Sequence, residues 1–202
     1  MSPLEFWFEF GSTYSYPAAL RIEQLARSAR IEVVWRPFLL GPIFTSQGWS
    51  DSPFNLYPAK GRYMWRDLER ICAELDPPFR RPSRFPRNGL LAARLACWFE
   101  REAWLPEFVR RVYIANFAED REISDPSVIT AILGSMGQSA TAIAQAESPE
   151  AKAKLRAQTE HAAALGIFGA PTFVVGGEIF WGNDRLESAL AWSISIPQAQ
   201  PT

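Results

Sequence analysis

Two serines, Ser12 and Ser15, are separated by two residues in the stretch FEFGSTYSYPA, where a strand pattern runs into a helical one. Cysteines at this spacing would form a redox pair, but serines cannot be oxidised to a disulfide. A hydroxyl at a helix start lies beside unpaired backbone N–H groups and the positive end of the helix dipole, and it can donate a hydrogen bond to an anion. Because such surroundings lower the pKa of a thiol from about 8.5 toward neutrality, a bound thiolate is a suitable guest.

Ser12 is therefore the candidate catalytic residue. The alternative is that Ser12 and Ser15 are merely capping residues, since serine is favoured at the N-cap of a helix. In either case Ser15 is expected to be the N-cap, and Pro17 falls in the first turn of the helix, where its missing N–H costs nothing.

A second candidate group is GAPT, from Gly169 to Thr172, directly before an apolar run. Only about 5–6% of X–Pro bonds are cis in folded proteins, so Pro171 alone is weak support. In the fold that the order of strands and helices predicts, this proline faces the turn that carries Ser12. A cis bond there would turn the backbone groups of Ala170 outward, where they can pair with an extended peptide. Glutathione is a small peptide with a thiol, so the two groups of residues indicate one ligand.

Composition excludes several other functions. The 202 residues are 48% apolar and 21% charged, with a net charge of −1, which argues against a nucleic-acid surface or an electrostatic membrane anchor. No signal peptide and no apolar run of the ~18 residues needed to span a bilayer are visible, so we expect a cytoplasmic protein.

The residues that commonly bind metals or perform nucleophilic catalysis are scarce. His161 is the single histidine, so neither a zinc site nor a Ser-His-Asp triad is expected, and no metal is predicted. Cys72 and Cys97 both lie in helical patterns, which favours buried free thiols over a structural disulfide. No glycine-rich phosphate-binding loop is present.

The elements that must position Ser12 begin with an alternating strand over residues 4–10, a helix, and a second strand over residues 31–38. A strand, helix and strand within about 35 residues form a βαβ unit with parallel strands. Residues 42–147 are mainly helical in pattern, with one helix beginning at Asp125-Pro126 and an irregular, proline-rich stretch before the second of the inserted helices.

The chain then returns to a sheet pattern. A helix with Ser148 as its N-cap ends near Gly166, and the apolar runs TFVV and EIFW flank Gly176-Gly177, a two-residue hairpin turn. A last helix begins around Arg185, and residues 193–202 are expected to be frayed. The order βαβ…αββα predicts an α/β protein with a thioredoxin fold. Residues 1–41 and 148–202 would form the thioredoxin-like domain, and residues 42–147 a large all-α insertion.

The sequence resembles the glutathione-dependent 2-hydroxychromene-2-carboxylate isomerases and the related kappa-class glutathione transferases, which belong to the DsbA-like branch of the thioredoxin superfamily. The resemblance covers nearly the whole chain, through FEFGSTYSYPA, NLYPAKGRYMWRDLER, FPRNGLLAARL and GIFGAPTFVVGGEIFWGNDRLE. It implies glutathione as cofactor, an aromatic small-molecule substrate, a homodimer, and a role in aromatic compound degradation.

The resemblance also implies roles for individual residues. Ser12 stands where the family's catalytic serine stands, and it would donate its hydroxyl to the glutathione sulfur. The implied glutathione-binding residues are Asn55, Lys60, Ala170, Pro171, Asn183 and Asp184. Among them, Lys60 would meet the glycyl carboxylate and Ala170 the cysteinyl backbone, while Asn183 and Asp184 would hold the γ-glutamyl end. Singly, each has an ordinary alternative, such as a surface lysine or a helix-capping turn.

The turn departs from the family pattern at two positions. Thr13 replaces the usual proline, which frees φ at that position, and Glu9 replaces the more usual aspartate near the strand end. Neither change removes the hydroxyl of Ser12. Phe54, Trp65 and Trp181 are candidates for an apolar substrate pocket.

The implied reaction is isomerisation of a hydroxychromene carboxylate, or a similar aromatic enoate or pyruvate, through a thiolate nucleophile. A kappa-like transferase would use the same thiolate and retain the conjugate. A glutathione-binding or chaperone-like module without enzymatic activity is the alternative of a different class. A disulfide oxidoreductase is excluded at this turn, because Ser12 and Ser15 offer no resolving thiol.

Overall fold

A computed structural model describes residues 2–195 of the chain. The elements follow one another in this order: β1 (Leu4–Phe8), α1 (Ser15–Ala29), β2 (Val33–Pro37), α2 (Leu40–Ser46), α3 (Pro53–Leu56), α4 (Pro58–Leu75), α5 (Leu90–Trp98), α6 (Leu105–Phe117), α7 (Pro126–Ser135), α8 (Thr141–Ala146), α9 (Pro149–Ala164), β3 (Thr172–Val175), β4 (Glu178–Trp181), a 3-10 turn (Asn183–Arg185) and α10 (Leu186–Ser195).

The four strands form one mixed sheet in the order β2-β1-β3-β4. β1 runs parallel to β2 and antiparallel to β3, and β4 pairs antiparallel with β3. This arrangement confirms the thioredoxin fold with helices inserted between β2 and α9. Because Trp7 is paired with Thr172, the end of β1 that leads to Ser12 lies beside the start of β3.

The strict alternation of β1 explains its central place in the sheet. Phe6 and Phe8 are fully buried in the larger apolar core, while Trp7 is fully buried against Phe38 on the opposite face. Both faces of the strand are therefore covered, as expected for a central strand between two layers of helices. The strand ends at Phe8, two residues earlier than the alternation predicts.

Two helix starts and the hairpin are confirmed. The side chain of Asp125 caps α7 by accepting a hydrogen bond from Ser127, and that of Ser148 caps α9 by accepting one from Ala151. Gly176 and Gly177 both have positive φ, at 58° and 88°, so the hairpin turn needs the conformational freedom of glycine.

Three short helices, α2, α3 and α8, were not predicted individually. They contain seven, four and six residues, too few to show a helical apolar period. At the other end of the chain, α10 continues through Ser195, so residues 193–195 are helical rather than frayed. The rest of the predicted frayed end, residues 196–202, lies outside the described residues.

One continuous apolar core joins the sheet to the inserted helices. Phe6 and Phe8 of β1 belong to the same cluster as Met64 of α4, Phe108 of α6 and Ile132 of α7. The insertion therefore shares its core with the sheet. The division into residues 1–41 with 148–202 and residues 42–147 stays a prediction about sequence organisation.

Both cysteines are buried free thiols, as predicted. Burial raises the pKa of Cys72 and of Cys97 to about 11, so neither is a reactive thiolate near neutral pH. His161 lies on the exposed side of α9 with its ring 5.7 Å from that of Trp7. Among the helices of residues 2–195, none is long and apolar enough to cross a bilayer.

Candidate active site

A cavity of about 1190 Å³ opens where β1 ends and β3 begins. Its walls come from four separate parts of the chain: the turn after β1, the segment from the end of β2 to α4, the loop before α5, and the residues that flank β3 and β4. The polar residues that line it include Glu9, Ser12, Thr13, Tyr14, Asp51, Lys60, Asp67, Arg87, Asn183 and Asp184.

Ser12 connects two of these walls. Its hydroxyl donates a hydrogen bond of 2.8 Å to the carbonyl oxygen of Ala170, and it accepts one of 3.3 Å from the N–H of Ser15. A further hydrogen bond, from the N–H of Ser12 to the carbonyl oxygen of Glu9, closes the turn at 2.9 Å. The hydroxyl is thus placed at the N-terminus of α1 and held against the segment that precedes β3.

The predicted capping role of Ser15 is wrong. Ser15 is already the first residue of α1, and its buried hydroxyl makes no hydrogen bond with any atom of residues 2–195. The hydroxyl of Ser12 accepts from the N–H of Ser15 instead. The prediction placed the cap too late because the helix begins one residue earlier than a Ser15 cap requires.

The turn also presents unpaired backbone donors. Within the described part of the chain, the N–H groups of Thr13 and Tyr14 have no hydrogen-bond acceptor. They lie at the N-terminus of α1, where the helix dipole adds partial positive charge. Thr13 therefore contributes an N–H group that a proline at this position would lack. Ser12 and these donors together can stabilise a thiolate or another small anion.

The Ala170–Pro171 peptide bond is cis, as the sequence suggested. Gly169 and Ala170 line the cavity, whereas Pro171 lies behind them, where its carbonyl oxygen accepts a hydrogen bond from Gly182 at 2.9 Å. The N–H of Ala170 has no acceptor among residues 2–195 and is free to bind a ligand backbone. Gly169 cannot be replaced easily, because a Cβ there would lie 2.4 Å from the indole nitrogen of Trp181.

Two charged residues predicted to bind glutathione line the same cavity. Lys60 is exposed in the first turn of α4, with its amine 4.8 Å from the centre of the Tyr57 ring. Asp184 is exposed in the 3-10 turn after β4, and Arg185 lies 3.6 Å from its carboxylate. Both side chains are accessible to the charged ends of a ligand.

Asn183 and Asn55 differ in their positions. Asn183 is buried in the cavity wall, where its amide oxygen accepts a hydrogen bond of 3.4 Å from Arg21. Asn55 is exposed on α3 and does not line the cavity, and its amide donates to Asp51 at 3.0 Å. The structure therefore brings Ser12, Lys60, Ala170, Asn183 and Asp184 together, with Pro171 directly behind them, but it leaves Asn55 outside.

Aromatic side chains line much of the cavity. Phe168 and Trp181 pack with ring centres 4.9 Å apart, and Phe54 lies 6.2 Å from Tyr14. Phe54 and Trp181 are thus where the sequence analysis expected them. Trp65 is not, since it lies outside the cavity lining and packs against Phe85 at 4.8 Å.

Tyr14 is a polar group that sequence analysis did not identify. Its hydroxyl donates a hydrogen bond of 3.0 Å to Asp67, which also pairs with Arg70. Burial, followed by the hydrogen bond to Asp67, raises the pKa of Tyr14 well above its ordinary value, so the phenol stays protonated and remains a hydrogen-bond donor. Tyr14 directly precedes α1 and Asp67 lies in α4, and no local pattern relates positions so distant in sequence.

Glu9 is the second polar group whose chemistry the sequence did not reveal. The half-buried Glu9 carboxylate accepts a hydrogen bond of 2.9 Å from the N–H of Gly11. Burial raises its pKa from 4.5 to about 7, although hydrogen bonds from the backbone of Gly11 and Ser12 oppose this rise. A carboxyl group that titrates near neutral pH therefore lines the cavity three residues before Ser12.

Comparison with known proteins agrees with this fold. The family model described as the DSBA-like thioredoxin domain matches residues 3–191. The chain is 28% identical to the 2-hydroxychromene-2-carboxylate isomerase of Sphingobium xenophagum over 91% of its own length and 94% of that protein. It is 29% identical to the human glutathione S-transferase kappa 1, over 93% and 90% of the two chains.

The solved structure of a 2-hydroxychromene-2-carboxylate isomerase has the same fold. It superposes with a TM-score of 0.84 and 25% sequence identity, and the alignment covers 94% of each chain. The relatives thus include isomerases and transferases, in agreement with the resemblance seen in the sequence motifs. The match over residues 3–191 shows that the chain belongs to the DSBA-like thioredoxin domain family.

Proposed function

We propose that this protein is a glutathione-dependent isomerase of 2-hydroxychromene-2-carboxylate or a similar aromatic enoate or pyruvate. The observation that carries the proposal is the joining of Ser12 and Ala170 in one cavity, by a hydrogen bond of 2.8 Å. Ser12 offers a hydroxyl for a thiolate, and Ala170 offers a backbone N–H for the peptide that carries it. The similarity to isomerases over more than nine-tenths of the chain supports the same activity.

The side chains and backbone groups that line the cavity are chemically suited to bind glutathione. The hydroxyl of Ser12 and the N–H groups of Thr13 and Tyr14 would hold the sulfur. Ala170 would pair with the cysteinyl backbone. Lys60 would bind the glycyl carboxylate, since an ammonium and a carboxylate form a charge-assisted hydrogen bond.

The γ-glutamyl end would lie at the 3-10 turn after β4. Asp184 would bind the α-ammonium group and Asn183 would donate to the neighbouring carboxylate. We leave Asn55 out of the binding set, because its amide is bound to Asp51. A cavity of about 1190 Å³ has room for a tripeptide and an aromatic substrate together.

Catalysis would use the thiolate of bound glutathione as its nucleophile. Glutathione held by Ser12 and Ala170 would supply a thiolate nucleophile for reversible addition to a conjugated carbon, which would leave a single bond free to rotate. Ser12 and the N-terminus of α1 would lower the pKa of the glutathione thiol. Phe54, Phe168 and Trp181 would hold the aromatic ring and exclude water. The chain thus provides thiolate stabilisation and positioning.

A kappa-like glutathione transferase is the second candidate. The similarity to human glutathione S-transferase kappa 1 favours it, at 29% identity over 93% of the chain. The same residues would stabilise the thiolate, but the conjugate would be released as product. A glutathione-binding or chaperone-like module without catalysis is the third, and it requires that Ser12→Ala leaves function intact.

The test is to incubate the protein with an authentic 2-hydroxychromene-2-carboxylate, with and without glutathione, and with an electrophilic haloarene. Glutathione-dependent isomerisation of the first substrate supports the isomerase, and a stable conjugate with the second supports the transferase. Retention on immobilised glutathione without either reaction supports the binding module. If the protein neither retains glutathione nor accelerates any reaction, the proposal fails.

We also propose that the protein acts as a cytoplasmic homodimer, as the family resemblance implies. Light scattering of the purified protein checks the dimer, because one chain has a mass of 22.8 kDa. Cell fractionation checks the location.

A further inference from the structure

We infer that Glu9 is the internal proton acceptor of the site and takes up the proton that the glutathione thiol loses at Ser12. In this step the S–H bond breaks and its electron pair stays on the sulfur. An O–H bond forms on the carboxylate of Glu9, and no proton leaves the site. The inference rests on the proposed function, since it requires glutathione to bind at Ser12.

The geometry of the turn places Glu9 for this role. The carboxylate folds back along the chain and accepts a hydrogen bond from the N–H of Gly11 at 2.9 Å. The N–H of Ser12 in turn donates to the main-chain carbonyl of Glu9, also at 2.9 Å. Both Glu9 and Ser12 line the cavity. One short turn therefore carries the hydroxyl that would stabilise a thiolate and a carboxylate that can accept its proton.

Gly11 leaves room for this arrangement. A Cβ at position 11 would lie 3.0 Å from one carboxylate oxygen of Glu9 and 3.2 Å from the main-chain oxygen of Arg87. Any larger residue would press on the carboxylate from the side of the turn. The absence of a side chain at Gly11 thus lets the carboxylate stay against the backbone beside Ser12.

Glu9 differs from the other carboxylates of the cavity in its partners. Asp67 pairs with Arg70 and accepts from Tyr14, and Asp184 lies near Arg185. Asp51 accepts from Ser52 and Asn55. Glu9 has no ion pair with any of residues 2–195. Without a cation to hold it ionised, Glu9 can gain a proton at low cost.

The charges around Glu9 agree with this assignment. From α6, the phenol of Tyr113 donates to the main-chain oxygen of Glu9, and the charge of Glu9 helps to raise the pKa of Tyr113. From the loop before α5, Arg87 directs its guanidinium at Asp120 and Glu122. The other charged groups that line the cavity are Asp51, Lys60, Asp67 and Asp184.

A bound thiolate makes protonation of Glu9 more favourable. Burial already raises the pKa of Glu9 to about 7, so near neutral pH it is a base matched to the task. A second negative charge in the same cavity raises the pKa of the carboxyl further, because two nearby anions repel each other. The bound state would then contain one thiolate and one neutral Glu9, with no change in the charge of the site.

The test counts protons while glutathione binds, without any substrate. At pH 7.5 in weak buffer, a pH indicator reports protons released, and the ultraviolet absorbance of the thiolate reports its formation. At this pH a free thiol of pKa about 8.5 carries about 0.9 proton. Glu9, with a pKa of about 7, is roughly three-quarters ionised before binding, so the wild type should release about 0.2 protons per thiolate formed. Glu9→Gln, whose amide oxygen can still accept from Gly11, should release about 0.9.

Three controls accompany the proton-release measurement. Glu5→Gln makes the same change on β1, where Glu5 lies 3.6 Å from Arg36, outside the cavity lining, and it should behave as the wild type. S-methylglutathione has no thiol proton and should release none with any variant. Gly11→Ala, which crowds the carboxylate without removing it, should raise the number of protons released above that of the wild type.

The outcomes separate two kinds of failure. If the wild type forms the thiolate but releases about 0.9 protons, Glu9 is not the acceptor and the inference is wrong, while the proposed function stands. If no thiolate absorbance appears with the wild type, the proposed function itself fails. If the wild type releases about 0.2 protons per thiolate while Glu9→Gln releases about 0.9, the inference is supported, and equal release from both proteins would overturn it.

Discussion

The hydroxyl of Ser12 donates its one proton to the carbonyl oxygen of Ala170, across a distance of 2.8 Å. To stabilise a thiolate, this hydroxyl must turn from the carbonyl to the sulfur. Its acceptor role toward the N–H of Ser15 can persist, because the oxygen has lone pairs for it. Under the proposed function, catalysis and the resting structure would therefore use the same hydroxyl proton for different acceptors.

Ser12→Ala should lower kcat of the glutathione-dependent reaction by about 10²–10³-fold, the usual cost of losing one donor to a developing anion. The affinity for glutathione should change less than about threefold, since backbone and charged groups make most contacts. Steady-state kinetics and calorimetry measure the two effects. Unchanged turnover would support a binding module without catalysis.

Ser15→Ala is the matched control for this variant. The hydroxyl of Ser15 is buried and makes no hydrogen bond within residues 2–195, and the variant keeps the N–H that donates to Ser12. We expect turnover and thiol pKa to stay at the wild-type values. A loss comparable to that of Ser12→Ala would move the catalytic assignment from Ser12 to Ser15.

Glu9→Gln should stabilise the fold at alkaline pH. The pKa of Glu9 rises from 4.5 to about 7 on folding, so the folded state binds more protons in this window and the free energy of unfolding falls as the pH rises through it. The variant should match the wild type near pH 4 and exceed it by about 1 to 3 kcal/mol at pH 8, after allowance for partial exposure. Urea unfolding at both pH values measures the difference. An equal difference in the free energy of unfolding at both pH values would contradict the raised pKa of Glu9.

Lys60→Met should weaken glutathione binding by about 3–10-fold, as expected for loss of one exposed charge-assisted contact. The glycyl monoester of glutathione lacks the carboxylate that Lys60 would bind, so its affinity should stay unchanged. Calorimetry with both ligands measures this. Asn55→Ala is the control, and it should change neither affinity by more than about twofold, because Asn55 lies outside the cavity lining. Equal losses of affinity for both ligands would show that Lys60 does not bind the glycyl carboxylate.

Asp184→Asn should reduce the affinity for glutathione but not for its N-acetyl derivative, which has no α-ammonium group. The carboxylate is exposed, so we expect a loss of about 3–10-fold. Adding salt should narrow the gap between the variant and the wild type, because exposed charges are screened. A variant that loses affinity equally for both ligands would show that Asp184 does not contact the ammonium group.

Thr13→Pro should raise the pKa of the bound thiol by about one unit. The substitution removes an N–H that has no acceptor within residues 2–195, and one hydrogen bond to a charged group contributes about 1.5 kcal/mol or more. Ultraviolet titration of the thiolate gives the pKa. Thr13→Val, which keeps the N–H and the side-chain shape, should leave it unchanged. If both variants give the same shift, the side chain of Thr13 matters and its N–H does not.

Local patterns were sufficient for most of the fold. The alternation of β1, the caps Asp125 and Ser148, and the Gly176-Gly177 turn depend on neighbouring residues, so the sequence shows them directly. The short helices α2, α3 and α8 have seven, four and six residues, too few for a sequence period to mark them. The Ser15 cap was wrong because α1 begins one residue earlier, so that Tyr14 occupies the N-cap position and Ser12 accepts from the N–H of Ser15.

The site was predictable where family motifs mark it. Ser12, Ala170 and Lys60 lie in short stretches that resemble those of the isomerases, and the structure brings them to one cavity. Burial is a property of the whole fold, so the raised pKa of Glu9 could not be foreseen. Side-chain direction also escaped prediction, since Asn55 donates to Asp51 and Trp65 packs against Phe85.

The hydrogen bond between Ser12 and Ala170 spans 158 positions of the chain. During synthesis, the first βαβ unit can therefore form on the ribosome long before the hydroxyl of Ser12 has a partner. β1 has only β2 beside it until β3 is made and pairs with it. The nascent chain thus carries an unfinished sheet edge and no complete site until translation has passed Ala170. Ribosome-bound intermediates shorter than this should bind no glutathione and should depend most on chaperones.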